Sequence, residues 1–221
     1  MNVEIRNRPS FAHLAVRLEP GESLTAESGA MASMTSNTQL AARWNGGFFN
    51  ALLRKFFGGE SLFVNEVGCP PGGRPSEVVL TQATPGDMQE IRLNGTSMFV
   101  QKGSFVACGP GVDMGVGWAG IASWLGGEGL FRLRVSGRGS VWIGGYGSIV
   151  EREVRGELKV DSGHLIAYEP TIELRTGLSG GIFSSMFGGE GLVTRVTGQG
   201  RVYLQTRSLE GLASWTNRYL P

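Results

Sequence analysis

Cysteine is nearly absent. Cys69 and Cys108 are the two in 221 residues, and they form no CxxC pair and no even ladder of spacings, which excludes a disulfide framework and a sequence-encoded zinc site. Histidine is as scarce, with His13 and His164 alone. Two histidines, two cysteines and no clustered carboxylates leave the usual metal-ligand patterns unwritten. Charge of one sign is lacking too: 20 basic against 19 acidic side chains give a net +1, so no bulk field favours nucleic acid, anionic lipid or an acidic partner.

A long apolar run is also missing. The stretch from Phe105 to Phe131 has few charges, but it is broken by Pro110 and by glycines from Gly109 to Gly129, whereas a spanning helix needs about twenty predominantly apolar residues. It reads as strand, turn and short helix. The opening MNVEIRNRPS has charges every few residues and no apolar core, so no signal peptide is expected there. The expectation is a folded cytoplasmic chain, long enough to bury a sizeable core.

Glycine is what the sequence has in excess, with 36 residues, well above the usual share. Its clusters repeat. The phrase WLGGEGLFRLRVSGRG from Trp124 returns as MFGGEGLVTRVTGQG from Met186, and more faintly precedes both as FFGGESLFVNEVG from Phe57. Upstream of each phrase lies a glycine-led strand, ESGAMASM, QKGSFVAC or DSGHLIAY, aligned on Gly29, Gly103 and Gly163. Further upstream come EPGESLTA, TPGDMQEI and VRGELKVD, each read as a small turn. A unit of about 60–70 residues written three times is the pattern of an internal repeat. One domain of three copies follows, near 1–83, 84–150 and 151–221.

Within a unit the signals are mostly β. FRLRVSGRGSVWI alternates Phe131, Leu133 and Val135 against Arg132, Arg134 and Ser136, and LVTRVTGQGRVYLQT repeats the alternation. Each reads as a β-hairpin with one buried face, turning at Gly137–Gly139 and Gly198–Gly200. Arg132, Arg134, Arg195 and Arg201 then fall on the solvated face. The fold class expected is all-β, a three-fold internal repeat of β-hairpin units.

Before each GGE comes a short apolar helix. GGFFNALLRKFFGG sets Phe48, Phe49, Leu52 and Phe56 on one stripe, WAGIASWLGG offers Trp118, Ile121 and Trp124, and GGIFSSMFGG offers Ile182, Phe183 and Phe187. The anchors Gly59, Glu60, Gly127, Glu128, Gly189 and Glu190 follow directly. The three glutamates suit turn carboxylates that accept backbone N–H groups, and they also have the chemistry of an oxygen-ligated cation site.

Two motif matches dissolve in this context. GVGWAG, Gly115 to Gly120, fits GxGxxG and runs into the expected helix, but it lacks the rest of a βαβ unit and the acidic residue further on. GLSGG, Gly177 to Gly181, fits a nucleophile elbow at Ser179, yet no histidine follows it in the chain, as the elbow requires.

Taken together, GESLTAESGAMASM, the paired GGESLF and GGEGLF, VDSGHLIAYEPTIE and the closing GGEGLVTRVTGQGRVYLQT resemble the family named for altered inheritance of mitochondria, over about Val16 to Ser214. The resemblance implies a β fold like that of the tryptophan RNA-binding attenuator protein. It also implies an association of mitochondrial relatives with inner-membrane organisation and respiratory assemblies, and it brings no catalytic residues. The function expected is a non-enzymatic scaffold or interaction module that forms a homo-oligomer through the apolar helices, with no cofactor and no metal. Two alternatives stand beside it: a module peripheral to the inner membrane acting through the same helices, and a small-ligand or metal binder between repeats. Nucleic acid is not an expected partner, because the basic groove and stacking aromatics of a single-strand binder are not in the pattern.

Overall fold

A computed structural model of the protein describes residues 1–42, 64–101, 103–118, 131–176 and 193–220. The strands in chain order are β1 (Asn2–Arg6), β2 (His13–Leu18), β3 (Ser23–Glu27), β4 (Met31–Met34), β5 (Gln39–Ala42), β6 (Val64–Gly68), β7 (Ser76–Leu80) and β8 (Gly86–Val100). There follow β9 (Phe105–Cys108), β10 (Val112–Trp118), β11 (Phe131–Tyr146), β12 (Ile149–Asp161), β13 (Leu165–Tyr168), β14 (Ile172–Thr176) and β15 (Val193–Gln205). A 3-10 turn at Ser162–His164 and one helix, α1 (Leu209–Asn217), complete the described elements. The described chain is mostly β-sheet.

The strands form for two different reasons. β2 buries Leu14, Val16 and Leu18 and turns Arg17 outward, and β7 alternates likewise, the period of a sheet with one wet face. β9 and β13 are continuous apolar runs, and every residue of each is buried, as suits strands covered on both faces.

Long antiparallel pairs organise the sheets. β8 lies along β11 from Gly86 opposite Tyr146 to Val100 opposite Leu133, and β12 lies along β15 from Ile149 opposite Gln205 to Asp161 opposite Val193. Near the N-terminus the same path is split, with β2 on β7 and β3 on β6. The other edge of each returning strand takes two short strands: β9 and β10 on β11, β13 and β14 on β15, β4 on β7 and β5 on β6. Among the described residues this yields a four-stranded sheet β1-β2-β7-β4 and an eleven-stranded sheet whose path runs β12-β15-β13-β8-β11-β9-β3-β6-β5.

The expected hairpin turns are not there. β11 and β15 pass through their glycines as single strands of 16 and 13 residues, bent where Gly137 takes φ +117° and Gly198 takes φ +128°. A Cβ at Gly137 would stand 2.3 Å from the Gly111 carbonyl oxygen, and one at Gly198 would stand 2.4 Å from that of Thr171. A neighbouring backbone therefore crosses at each bend, and glycine serves close approach instead of reversal. The phrases read as small turns divide similarly. Gly21 does lie in a turn, whereas Gly86 opens β8 and Gly156 sits inside β12 opposite Gly198. Of the four arginines assigned to the solvated face, Arg134, Arg195 and Arg201 are exposed, but Arg132 is buried.

The short strands share one irregularity. Ala32 drops out of register between Met31 and Ser33 on β4, Val106 between Phe105 and Ala107 on β9, and Ile166 between Leu165 and Ala167 on β13. Each is the third residue after its aligned glycine, counting 29 to 32, 103 to 106 and 163 to 166. A bulge of this kind bends the strand and re-aims its side chains.

Among the described residues three apolar clusters fill the interior. Leu14, Leu80, Met88 and Trp142 belong to the first, Val100, Phe105, Val135 and Tyr203 to the second, and Val154, Leu165, Val196 and Val202 to the third. Burial, followed by the neighbouring Glu151 and Glu169 carboxylates, pushes the Tyr203 phenol up to about 12 against the pull of Arg201. Because the folded form holds this proton more tightly, stability falls as pH rises from 10 toward 12. Absorbance titration of the four tyrosines is expected to show one late-ionising phenol that is lost in Tyr203→Phe. A late phenol that persists in that variant would assign the shift elsewhere.

Candidate interaction site

Helix α1 follows β15 after a short link. Ser208 caps it, its hydroxyl accepting the Gly211 N–H at 3.1 Å, and Glu210 lies in the first turn, where a negative charge suits the helix dipole. Leu209, Leu212, Trp215 and Tyr219 follow one another at intervals of three or four, the spacing of one helical stripe. Among the described residues nothing covers that stripe. No residue of α1 is buried; Leu209 is 60% exposed, Trp215 59%, and the following Tyr219 72%. The Trp215 and Tyr219 rings touch each other, with centroids 5.1 Å apart. This helix is absent from the sequence expectations, although the capping serine and the leucine spacing were there to find it.

A groove of about 510 Å³ crosses the four-stranded sheet, lined by Glu4, Arg6, Arg17, Met34 and Glu77 among others. Its charges satisfy one another. Arg6 donates to Glu4 at 2.8 Å, and Arg17 lies 3.2 Å from Glu19 and 3.5 Å from Glu77. Exposed pairs of this type contribute little to stability, and they leave no uncompensated charge to hold a ligand.

Inside the body, Arg132 Nη1 donates to the Tyr168 hydroxyl at 2.5 Å, and its guanidinium lies 5.2 Å from the Tyr168 ring centre. Phe99 packs on the same ring at 5.2 Å. The buried cation is thus held by an aromatic face and a hydroxyl. His164 Nδ1 lies 2.7 Å from the Gln205 carbonyl oxygen, a structural contact. Cys69 and Cys108 are both buried. Among the described residues no group of three or more His, Cys, Asp or Glu is placed to hold a metal ion. No described helix is long and apolar enough to cross a membrane.

Most of the residues named from sequence for the apolar helices and anchors lie outside the described residues: Phe48, Phe49, Leu52, Phe56, Gly59, Glu60, Ile121, Trp124, Gly127, Glu128, Ile182, Phe183, Phe187, Gly189 and Glu190. Ser179 lies there too. Trp118 is the exception and is a correction. It ends β10 opposite Phe131 rather than opening a helix. Gly115 and Gly117 of the GxGxxG match lie in the same strand, so the phosphate-facing turn of that fingerprint is not formed at these residues.

An all-β body of long, glycine-bent strands, with an exposed apolar helix after the last of them, is the class that the fold defines. The chain belongs to the family described as mitochondrial biogenesis AIM24, which it matches over residues 3–207. It is 27% identical to an uncharacterized protein of Streptococcus pyogenes serotype M6 over 230 aligned residues, covering 100% of this chain and 92% of that protein. It is also similar to a crystal structure of a Streptococcus pyogenes protein, with a TM-score of 0.79, 26% identity and 99% of each chain covered. The family match ends before α1 begins.

Proposed function

We propose that the protein is a non-enzymatic scaffold that self-associates in the cytoplasm, built from three copies of one unit on attenuator-protein-like lines. The three shared bulges at Ala32, Val106 and Ile166 support the repeat. The observation that carries the interaction role is α1. A helix that shows water Leu209, Leu212 and Trp215, with Tyr219 just after it, while burying none of its own residues, has the apolar, aromatic character of an association surface.

Light scattering on the eluting full chain is the test, with Trp215→Glu beside it. The expected result is a mass at least twice that of one chain for the parent, falling toward one chain in the variant. A parent that stays at one chain mass across the concentration range overturns self-association. A bilayer is the second occupant that suits Trp and Tyr at an apolar stripe. Flotation of a monomeric parent with vesicles, lost in Trp215→Glu, would assign α1 to that surface instead.

A further inference from the structure

The eleven-stranded sheet is continuous because two short strands reach beyond their own long partners. At the first junction Thr25 and Ala26 of β3 pair with Cys108 and Ala107 of β9. At the second, Phe99 and Val100 of β8 pair with Tyr168 and Ala167 of β13. Relative to the aligned glycines the two junctions are the same. The long strand supplies the residues four and three before its glycine (25 and 26 before 29, 99 and 100 before 103). The short strand supplies those five and four after its own (108 and 107 after 103, 168 and 167 after 163).

The same count names a third junction, in which Lys159 and Val160 at the end of β12 meet Met34 and Ser33 of β4. It is unmade. β12 ends the eleven-stranded path with β15 on one side, and β4 ends the four-stranded sheet with β7 on one side. Exposure follows the missing bonds at three of the four positions, while Val160 is buried as Ala26 and Val100 are. Ala107 and Ala167 are fully buried where Ser33 is exposed, and Cys108 and Tyr168 are buried where Met34 is 40% exposed. Thr25 is buried where Lys159 is exposed. Unpaired strand edges of this sort are templates for pairing with another strand.

Both halves of the missing junction belong to this one chain, so two copies related by a two-fold axis satisfy both edges at once. We propose that the open edges meet in a symmetric dimer, β4 of one copy pairing with β12 of the other, with Met34 opposite Lys159 and Ser33 opposite Val160. The proposal rests on the self-association reading and adds a second contact between copies beside α1.

The test is the full chain carrying Met34→Cys and Lys159→Cys. Both positions are exposed, the native thiols are buried, and directly opposed residues of an antiparallel pair are within disulfide reach. Mild oxidation is expected to link most chains into dimers. Mixing the two single variants is expected to give a link that matches one of each. A link formed within single chains overturns the proposal, because β4 then meets β12 of its own molecule. No link in a protein that light scattering shows to be assembled overturns this contact and leaves self-association standing. A monomeric parent overturns both.

Discussion

Gly198→Ala is expected to destabilise the protein by about 3–5 kcal/mol, the combined cost of a strained backbone and an overpacked contact. Gly198 takes φ +128°, outside the range of a side-chain-bearing residue, and a Cβ there would stand 2.4 Å from the Thr171 carbonyl oxygen. The clash cannot relax locally. β15 is bonded to β12 on one edge and to β13 and β14 on the other, so moving the bend disturbs two registers. For a chain of this size a melting temperature lower by roughly 10 °C follows. Gly72→Ala is the control, since Gly72 has φ +75° with nothing within 4 Å of its added Cβ, and a cost of about 1 kcal/mol is expected from backbone strain alone. Equal losses in the two variants would show that the crossing strand is not the constraint.

Arg8→Ala is expected to cost about 2–4 kcal/mol, toward the low end of the penalty for stranding a buried charge because Arg8 itself is partly exposed. The Asp87 side chain is only 4% exposed. It accepts Nε and Nη2 of Arg8 at 2.7 and 2.9 Å, and the Met88 N–H at 2.9 Å. Removing the guanidinium leaves a carboxylate that burial penalises and one backbone N–H supports. Arg155→Ala removes a pair with Glu153 in which both side chains are well exposed, and a loss under about 1 kcal/mol is expected there. Adding Asp87→Asn to Arg8→Ala should restore part of the loss, because it removes the stranded charge. Chemical denaturation of the four proteins checks this order. Similar midpoints for Arg8→Ala and Arg155→Ala would refute it.

Local signals carried much of the fold. The alternation in β2 and β7, the apolar runs in β9 and β13 and the glycines at 29, 103 and 163 are all visible in short windows of sequence, and they suffice for an all-β assignment. What failed was decided from far away. A strand glycine with positive φ and a turn glycine read alike, and only the carbonyls of Gly111 and Thr171 crossing at Gly137 and Gly198 distinguish bend from reversal. Arg132 alternates like a surface residue, yet Tyr168 from another strand buries it. Trp118 fits a helical stripe with Ile121 and Trp124, and its pairing with Phe131 is what makes it strand. The candidate contacts divide similarly. α1 was legible from Ser208 and its leucines, whereas the edges of β4 and β12 become meaningful only once the register of the other two junctions is known.

The junctions also set an order of events at the ribosome. β3 completes its pairing only when β9 has been made, and β8 only when β13 has, while Arg8 waits for Asp87. The earlier part of a growing chain thus holds open strand edges until the next part emerges, and such edges invite wrong pairing between nascent chains. A chain cut short after β12 would keep the outer edge of β8 near Phe99 and Val100 uncovered. Premature termination therefore yields adhesive fragments in place of a smaller working protein.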